Sequence, residues 1–216
     1  MNNNISYIQP FSIPMVQMQI GEDTSELKSC DLHTTSNLQM QEWRERHDPE
    51  FKRGKNIERH RILEKFPTTK NILENYVNQA LCEIIGYKAD FSITTSWITL
   101  TSKGSKSQIH SHKNSFWSGV YYFDDNYGDK SGRLTLRNPI FDLSNFLIET
   151  KKIDSATTPG LHIRPKSKCL VLFPSYVYHE IETHNEDDDR YSLAFNITPT
   201  GLYGDGDSTY DTNWIK

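Results

Sequence analysis

Seven short segments that read as β-strands succeed one another between residues 91 and 197, and this series constrains the fold more than any other feature of the chain. They are Phe91–Thr101, Ser118–Phe123, Gly132–Leu136, Leu161–Arg164, Cys169–Phe173, Val177–Glu182 and Tyr191–Ile197. The first is dense in β-branched and aromatic residues, which suit a pleated, half-buried surface. Turn signals punctuate the series at Lys103-Gly104, Asp124–Gly128, Asn138-Pro139, Pro165-Lys166, Pro174-Ser175 and Asn185–Asp189. Many short strands with tight turns predict a sandwich or barrel. Asp142–Pro159 reads as a long loop or insertion between strands, and the chain holds no internal repeat.

Upstream, the clearest element is a helix from about Thr68 to Ile85. Ile72, Leu73, Tyr76, Val77, Ala80, Leu81, Ile84 and Ile85 recur as pairs every four positions, forming one apolar stripe, and Gly86 is placed to cap the end. That stripe needs a sheet to lie on. Ile8, Phe11, Ile13, Val16, Met18 and Ile20 alternate as strands do and predict one or two strands at a sheet edge. Thr34–Glu64 is polar and reads as helical in pieces, broken near Pro49 and Gly54.

A chain of 216 residues suits a single domain, here with strands and supporting helices over 1–90, a β core over 91–200 and a tail over 201–216. The net charge of −4 gives no support for a nucleic-acid surface, and Lys52-Arg53-Gly54-Lys55 reads as a solvated turn. Cys30, Cys82 and Cys169 are odd in number and lack metal or redox spacing, which predicts free thiols in a reducing, cytoplasmic compartment. The N-terminus has no basic region followed by an apolar run, so no signal peptide is expected, and nothing approaches the length of a membrane span.

Chemistry enters at His110-Ser111-His112. In an extended segment residues two apart point the same way, so both imidazoles could reach one metal ion. His179 follows a buried-strand pattern and the Pro174-Ser175 turn, where a scaffold can hold a functional group rigidly. The last segment alternates. Tyr191, Leu193, Phe195 and Ile197 form an apolar face, whereas Arg190, Ser192, Ala194 and Asn196 form a polar one with a small residue at its centre. A guanidinium beside a hydroxyl on such a face makes a carboxylate clamp, although an exposed strand face would show the same alternation.

Three stretches together resemble the 2-oxoglutarate/Fe(II)-dependent oxygenases. They are His110-Ser-His112-Lys-Asn-Ser-Phe-Trp-Ser-Gly-Val-Tyr-Tyr, Leu-Phe-Pro-Ser-Tyr-Val-Tyr-His179 and Arg190-Tyr-Ser-Leu-Ala-Phe-Asn. The likeness is to the bacterial and phage oxygenases distantly related to prolyl hydroxylases, and it covers about residues 90–198. It implies a double-stranded β-helix (jelly-roll) core, and an oxidoreductase using Fe(II), O2 and 2-oxoglutarate to hydroxylate a substrate that the sequence does not identify. It implies His110 and His179 as metal ligands, and Arg190 with Ser192 for the distal carboxylate of 2-oxoglutarate. Tyr122 matches a tyrosine that serves the same carboxylate, with Tyr121 as the competing choice. The family's usual second ligand is a carboxylate; His112 stands in its place and leaves the site one positive charge higher. Asn114 is an alternative oxygen ligand in a shifted register. His33, His47, His60, His162 and His184 lack any such pattern and are expected to face solvent. Two rival readings use the same barrel: a cupin-like binding module, and a metal-dependent isomerase or lyase. The first needs no carboxylate clamp, and the second would use the metal as a Lewis acid without O2.

Overall fold

The computed structural model describes residues 12–29, 37–38, 60–125, 127–139, 141, 151 and 158–213. Helix α1 spans Pro67–Asn78, with proline in the first turn, where its missing N–H costs nothing. Its stripe buries Leu73 and Val77, and Ala80 and Leu81 just beyond it. At Gln79 the helix widens to a π-helical segment, Gln79–Ile85, and Gly86 closes it at φ 95° with its N–H on the Leu81 carbonyl at 3.1 Å. This widening carries Ile84 off the stripe, so that residue is 64% exposed, contrary to the regular 3.6-residue expectation.

The strands are β1 (Val16–Gln19), β2 (Asn37–Leu38), β3 (Asp90–Thr101), β4 (Trp117–Tyr122), β5 (Leu134–Arg137), β6 (Gly160–Ile163), β7 (Cys169–Pro174), β8 (His179–Ile181), β9 (Arg190–Thr200), β10 (Leu202–Tyr203) and β11 (Tyr210–Asp211). The larger sheet has the order β1-β7-β4-β9-β3-β2 and is antiparallel except for β2 on β3. The smaller sheet, β6-β5-β8, is extended by the segment before β4. There Ser107 N–H meets the Ile181 carbonyl at 3.0 Å, and His110 bridges His179. A separate hairpin pairs β10 with β11. As expected, the N-terminal strand adds to a sheet edge, beside β7.

Two cores result. One lies between the larger sheet and the N-terminal elements, where Leu73, Val77 and Leu81 meet Tyr121, Leu193 and Phe195. The other lies between the sheets and holds Val120, Tyr122, Leu134, Val171, Phe173 and Ile181. The larger sheet is therefore covered on both sides, which is why β4 and β7 read as continuous apolar runs and are buried at every position. Gly119 is required on β4, because a Cβ there would sit 2.3 Å from the Phe195 ring.

β3 carries a register shift between Ile93 and Thr95 in its pairing with β9. Phe91 and Ile93 face the helix, and after the shift so does Ile98, while Trp97 and Thr99 turn to the space between the sheets. A bulge exchanges the two faces of a strand in this way. Helix side chains support it: Glu74 Oε1 accepts the Ile93 N–H at 2.9 Å, and Asn78 pairs with both backbone groups of Phe91.

This is the anticipated double-stranded β-helix. Ile8, Phe11, the helical pieces over 39–59, the Lys52–Lys55 turn, Cys30, His33, His47 and nearly all of the 142–157 loop lie outside the described residues. Cys82 and Cys169 are free thiols. Among the described residues no helix is long and apolar enough to cross a membrane.

Candidate metal centre

His110 and His179 are cross-strand partners. The N–H of each donates to the carbonyl of the other, at 2.9 and 2.8 Å, and the imidazole centroids lie 4.3 Å apart. His112 comes two residues later on the same side. Its N–H donates to the Ser175 carbonyl at 3.1 Å, and its ring lies 5.0 Å from His179 and 5.1 Å from His110. One ligand nitrogen from each of the three falls within 4.8 Å of the others. His110 Nδ1 lies 2.8 Å from the Gln108 carbonyl, and His179 Nδ1 lies 3.0 Å from that of Val177. A carbonyl only accepts, so both rings carry their proton on Nδ1 and leave Nε2 free to ligate. Burial pushes His179 down to about 3 and His112 down to about 4, each aided by His110. Both are therefore neutral at pH 7, the form in which imidazole binds a metal.

Ser175 holds this arrangement. It is fully buried, donates its N–H to the Phe116 carbonyl at 3.1 Å, and bonds through Oγ to Ser115 and Ser118 at 2.8 Å each. The Pro174-Ser175 dipeptide reads as a turn in the sequence; its grip on the His112 segment appears only in three dimensions. Trp97, with its ring 5.5 Å from His112, likewise has no sequence signal.

Arg190 lies between the sheets and is fully buried. Its Nη1 reaches Ser192 Oγ at 3.2 Å, and Ser192 Oγ bonds to Thr99 Oγ1 at 2.7 Å. The Tyr122 ring lies 5.2 Å from the guanidinium carbon, whereas Tyr121 faces the helix-side core with its hydroxyl 2.7 Å from Thr24. Burial pushes the Tyr122 phenol up against the opposing pull of Arg190, so it stays protonated and able to donate. Tyr127 packs edge-on to Tyr122 at 5.5 Å and donates to the Tyr191 carbonyl at 2.6 Å. Thr101 stands directly across β3 and β9 from Arg190. Arg190 Nε and Nη2, Tyr122 Oη and Thr101 Oγ1 are all buried without a hydrogen-bond partner. Such groups cost free energy until an acceptor meets them.

The cavity before the three rings is narrow, about 40 Å3, and is lined also by Thr99, Ser118, Leu134 and Ser192. Asn114 is exposed at φ 56° and lines a different cavity. His184 does not face solvent: it is 1% exposed, with the Gly132 N–H on Nδ1 at 3.3 Å and the Asp188 carbonyl at Nε2 at 2.7 Å. It is buried because it satisfies one backbone group just before β5, at Gly132, and one in the turn before β9, at Asp188. His60 is half-buried, and the exposed His162 is tied to Glu182 and Thr135.

Residues 95–196 match the family described as "Putative 2OG-Fe(II) oxygenase", and this span contains both the three histidines and the Arg190 cluster. The stretch from β3 to β9 is therefore similar to the 2OG-Fe(II) oxygenase family. That family uses Fe(II) and 2-oxoglutarate, and the three-histidine cluster lies within the matched stretch. Among solved structures, HygX from Streptomyces hygroscopicus with nickel, 2-oxoglutarate and hygromycin B bound is similar at 12% identity, covering 88% of this chain and 84% of that one, with a TM-score of 0.52. A Pseudomonas putida prolyl-4-hydroxylase is similar at 16% identity over 85% of this chain and 92% of its own, with a TM-score of 0.45. A Burkholderia pseudomallei oxidoreductase of the 2OG-Fe(II) oxygenase family shares 14% identity over 59% of this chain, with a TM-score of 0.43; the chain spans 56% of that protein. No curated protein sequence matches the chain. The likeness to HygX is one of fold alone.

Proposed function

We propose that the chain is a 2-oxoglutarate- and O2-dependent hydroxylase in which His110, His112 and His179 hold Fe(II), and Arg190, Ser192 and Tyr122 receive the distal carboxylate of 2-oxoglutarate. The observation that carries this reading is the set of unpartnered donors behind the histidines: Arg190 Nε and Nη2, Tyr122 Oη and Thr101 Oγ1. A carboxylate offers about four lone-pair sites, and this set offers four donor atoms to meet them. A buried guanidinium also needs an anion, and among the described residues its partners are Ser192 and the Tyr122 ring, with no acid among them. Thr101 joins the clamp through its register with Arg190.

The donor set fits the metal as well. Three neutral imidazoles leave the full double charge of the ion to be met by a dianion such as 2-oxoglutarate. When bound, the metal supplies O2 activation coupled to decarboxylation of 2-oxoglutarate, giving succinate, CO2 and an oxidised substrate carbon. The residues of the chain provide position. The Gln108 and Val177 carbonyls orient two imidazoles, Arg190 holds the far end of the co-substrate in a bidentate fork, and Val120, Leu134, Phe173 and Ile181 exclude water. Because the cavity is narrow, entry of a five-carbon diacid must open it through movement of its lining side chains.

Incubation with Fe(II), O2 and 2-oxoglutarate should release succinate slowly in the absence of a primary substrate, and His179→Ala should abolish it. A protein that binds metal in the three-histidine site but neither binds nor consumes 2-oxoglutarate would be a bare metal-binding barrel, and the proposal would fail.

A further inference from the structure

His112 lines a second cavity besides the metal one. This cavity, about 310 Å3, shares Tyr87, Asn114, Ser115 and Phe116 with a larger groove of about 990 Å3 that ends at the β10–β11 hairpin. Volumes of this size suit a small organic molecule. The groove has two aromatic walls. On one, Phe91 and Phe116 stack at 6.0 Å with planes 6° apart, and Tyr87 packs edge-on to Phe116 at 5.3 Å. On the other, Tyr203 and Tyr210 of the hairpin lie 5.8 Å apart. Phe116, Tyr210 and neighbouring Leu202 are 42%, 52% and 68% exposed, an apolar patch of the kind that marks a binding site. Its charge is one-sided. Lys113 lines the smaller cavity and Lys88 the larger, and among the described residues no carboxylate lines either, although the chain as a whole has more acidic than basic residues.

We infer that this groove binds the primary substrate, and that the substrate is a small molecule joining a planar ring to an anionic group, as in a nucleotide or an aromatic carboxylate. The inference rests on the oxygenase reading, because it is continuity with His112 that makes the groove a substrate channel. Aromatic faces on two sides take a planar ring, since stacking is tolerant of ring identity. Two lysines supply the charge for one acidic group. They are too few for a polynucleotide, whose binding needs many phosphate contacts.

The test uses the full chain loaded with Ni(II) and 2-oxoglutarate. Saturation-transfer NMR and calorimetry would be run with nucleoside 5′-monophosphates and with indole-3-acetate, against the parent nucleosides, neutral indole and spermidine. Anionic ring compounds should bind at least about tenfold more tightly than their neutral parents. Binding by the nucleotides alone, or by indole-3-acetate alone, assigns the source of the anion. Lys88→Ala with Lys113→Ala should erase the anion preference. Tyr203→Ala with Tyr210→Ala should weaken binding about tenfold, as loss of stacking does, whereas the two Tyr→Phe changes should retain it. All variants should keep the wild-type affinity for 2-oxoglutarate, which also reports that they fold. Equal binding of neutral and anionic rings, preference for spermidine, no binding at about 1 mM, or indifference to all four substitutions would each overturn the inference. Succinate release is measured separately. Turnover without ring binding sinks the groove alone, whereas ring binding without 2-oxoglutarate turnover leaves a ring-anion site but sinks the oxygenase reading and, with it, the groove's role as the primary-substrate site.

Discussion

Replacing Arg190 by leucine should leave the protein no less stable when 2-oxoglutarate is absent, yet remove nearly all the stabilisation that 2-oxoglutarate provides. In the free protein Nε and Nη2 are buried and unbonded, and only Nη1 reaches Ser192, at 3.2 Å. An unsatisfied buried donor costs about 1–3 kcal/mol, and replacing a buried charge by an apolar group of similar volume is often neutral or favourable. With 2-oxoglutarate bound the balance reverses, because charge-assisted bonds contribute about 1.5–3 kcal/mol. Taking about 3 kcal/mol for the fork, the dissociation constant rises about 150-fold. At a ligand concentration 100 times the wild-type constant, binding stabilises the wild type by about 2.7 kcal/mol and the variant by about 0.3 kcal/mol. For a domain of this size that is a rise in Tm of about 5–11 °C against about 1 °C. Thermal unfolding of the Ni(II)-loaded protein under nitrogen, with and without 2-oxoglutarate, reads both quantities. Arg190→Lys should recover only part of the shift, since one ammonium cannot imitate the planar fork. A variant several degrees less stable without ligand but with an undiminished ligand shift would show that Arg190 is a structural cation, and the clamp argument would be wrong.

Ser175→Ala removes two buried hydroxyl bonds at 2.8 Å and should cost about 1–3 kcal/mol in denaturant unfolding. It should also weaken Ni(II) binding about tenfold by loosening His112; unchanged affinity would confine Ser175 to a stabilising role. Glu182 is partly buried, which raises its pKa, but bonds from Arg133, Thr135 and His162 outweigh that and hold the carboxyl below its ordinary value. Its contribution is therefore present above the unfolded carboxylate pKa and is lost as pH falls through the lower folded value. Glu182→Gln should cost about 1 kcal/mol at pH 7 and progressively less as pH falls below the ordinary carboxylate range; a cost independent of pH would refute the electrostatic origin. Gly119→Ala drives a methyl to 2.3 Å from the Phe195 ring and should cost about 1–3 kcal/mol, checked by chemical denaturation.

The sequence by itself determined the β-rich core, the packing helix and the grouping of functional side chains within single strands. Arg190 and Ser192 share a face because successive residues of a strand point to opposite sides. The same rule put His110 and His112 together, and the order of motifs carried the family resemblance. The rule fails where the backbone departs from regularity. Applied to β3 it groups Thr99 and Thr101 with Phe91 and Ile93; the bulge after Ile93 moves both threonines toward Arg190. In α1 the widened segment from Gln79 takes Ile84 out of its stripe for a similar reason. His184 turned inward because buried backbone groups of another segment needed partners. The bridge between His110 and His179, the grip of Ser175 on the His112 segment and the pairing of Thr101 with Arg190 join residues far apart in the chain. Side-chain direction within a strand follows from covalent geometry, which is local and readable. Register between strands is chosen by packing and hydrogen bonding across the whole sheet, so only the tertiary structure decided which distant donors surround one anion.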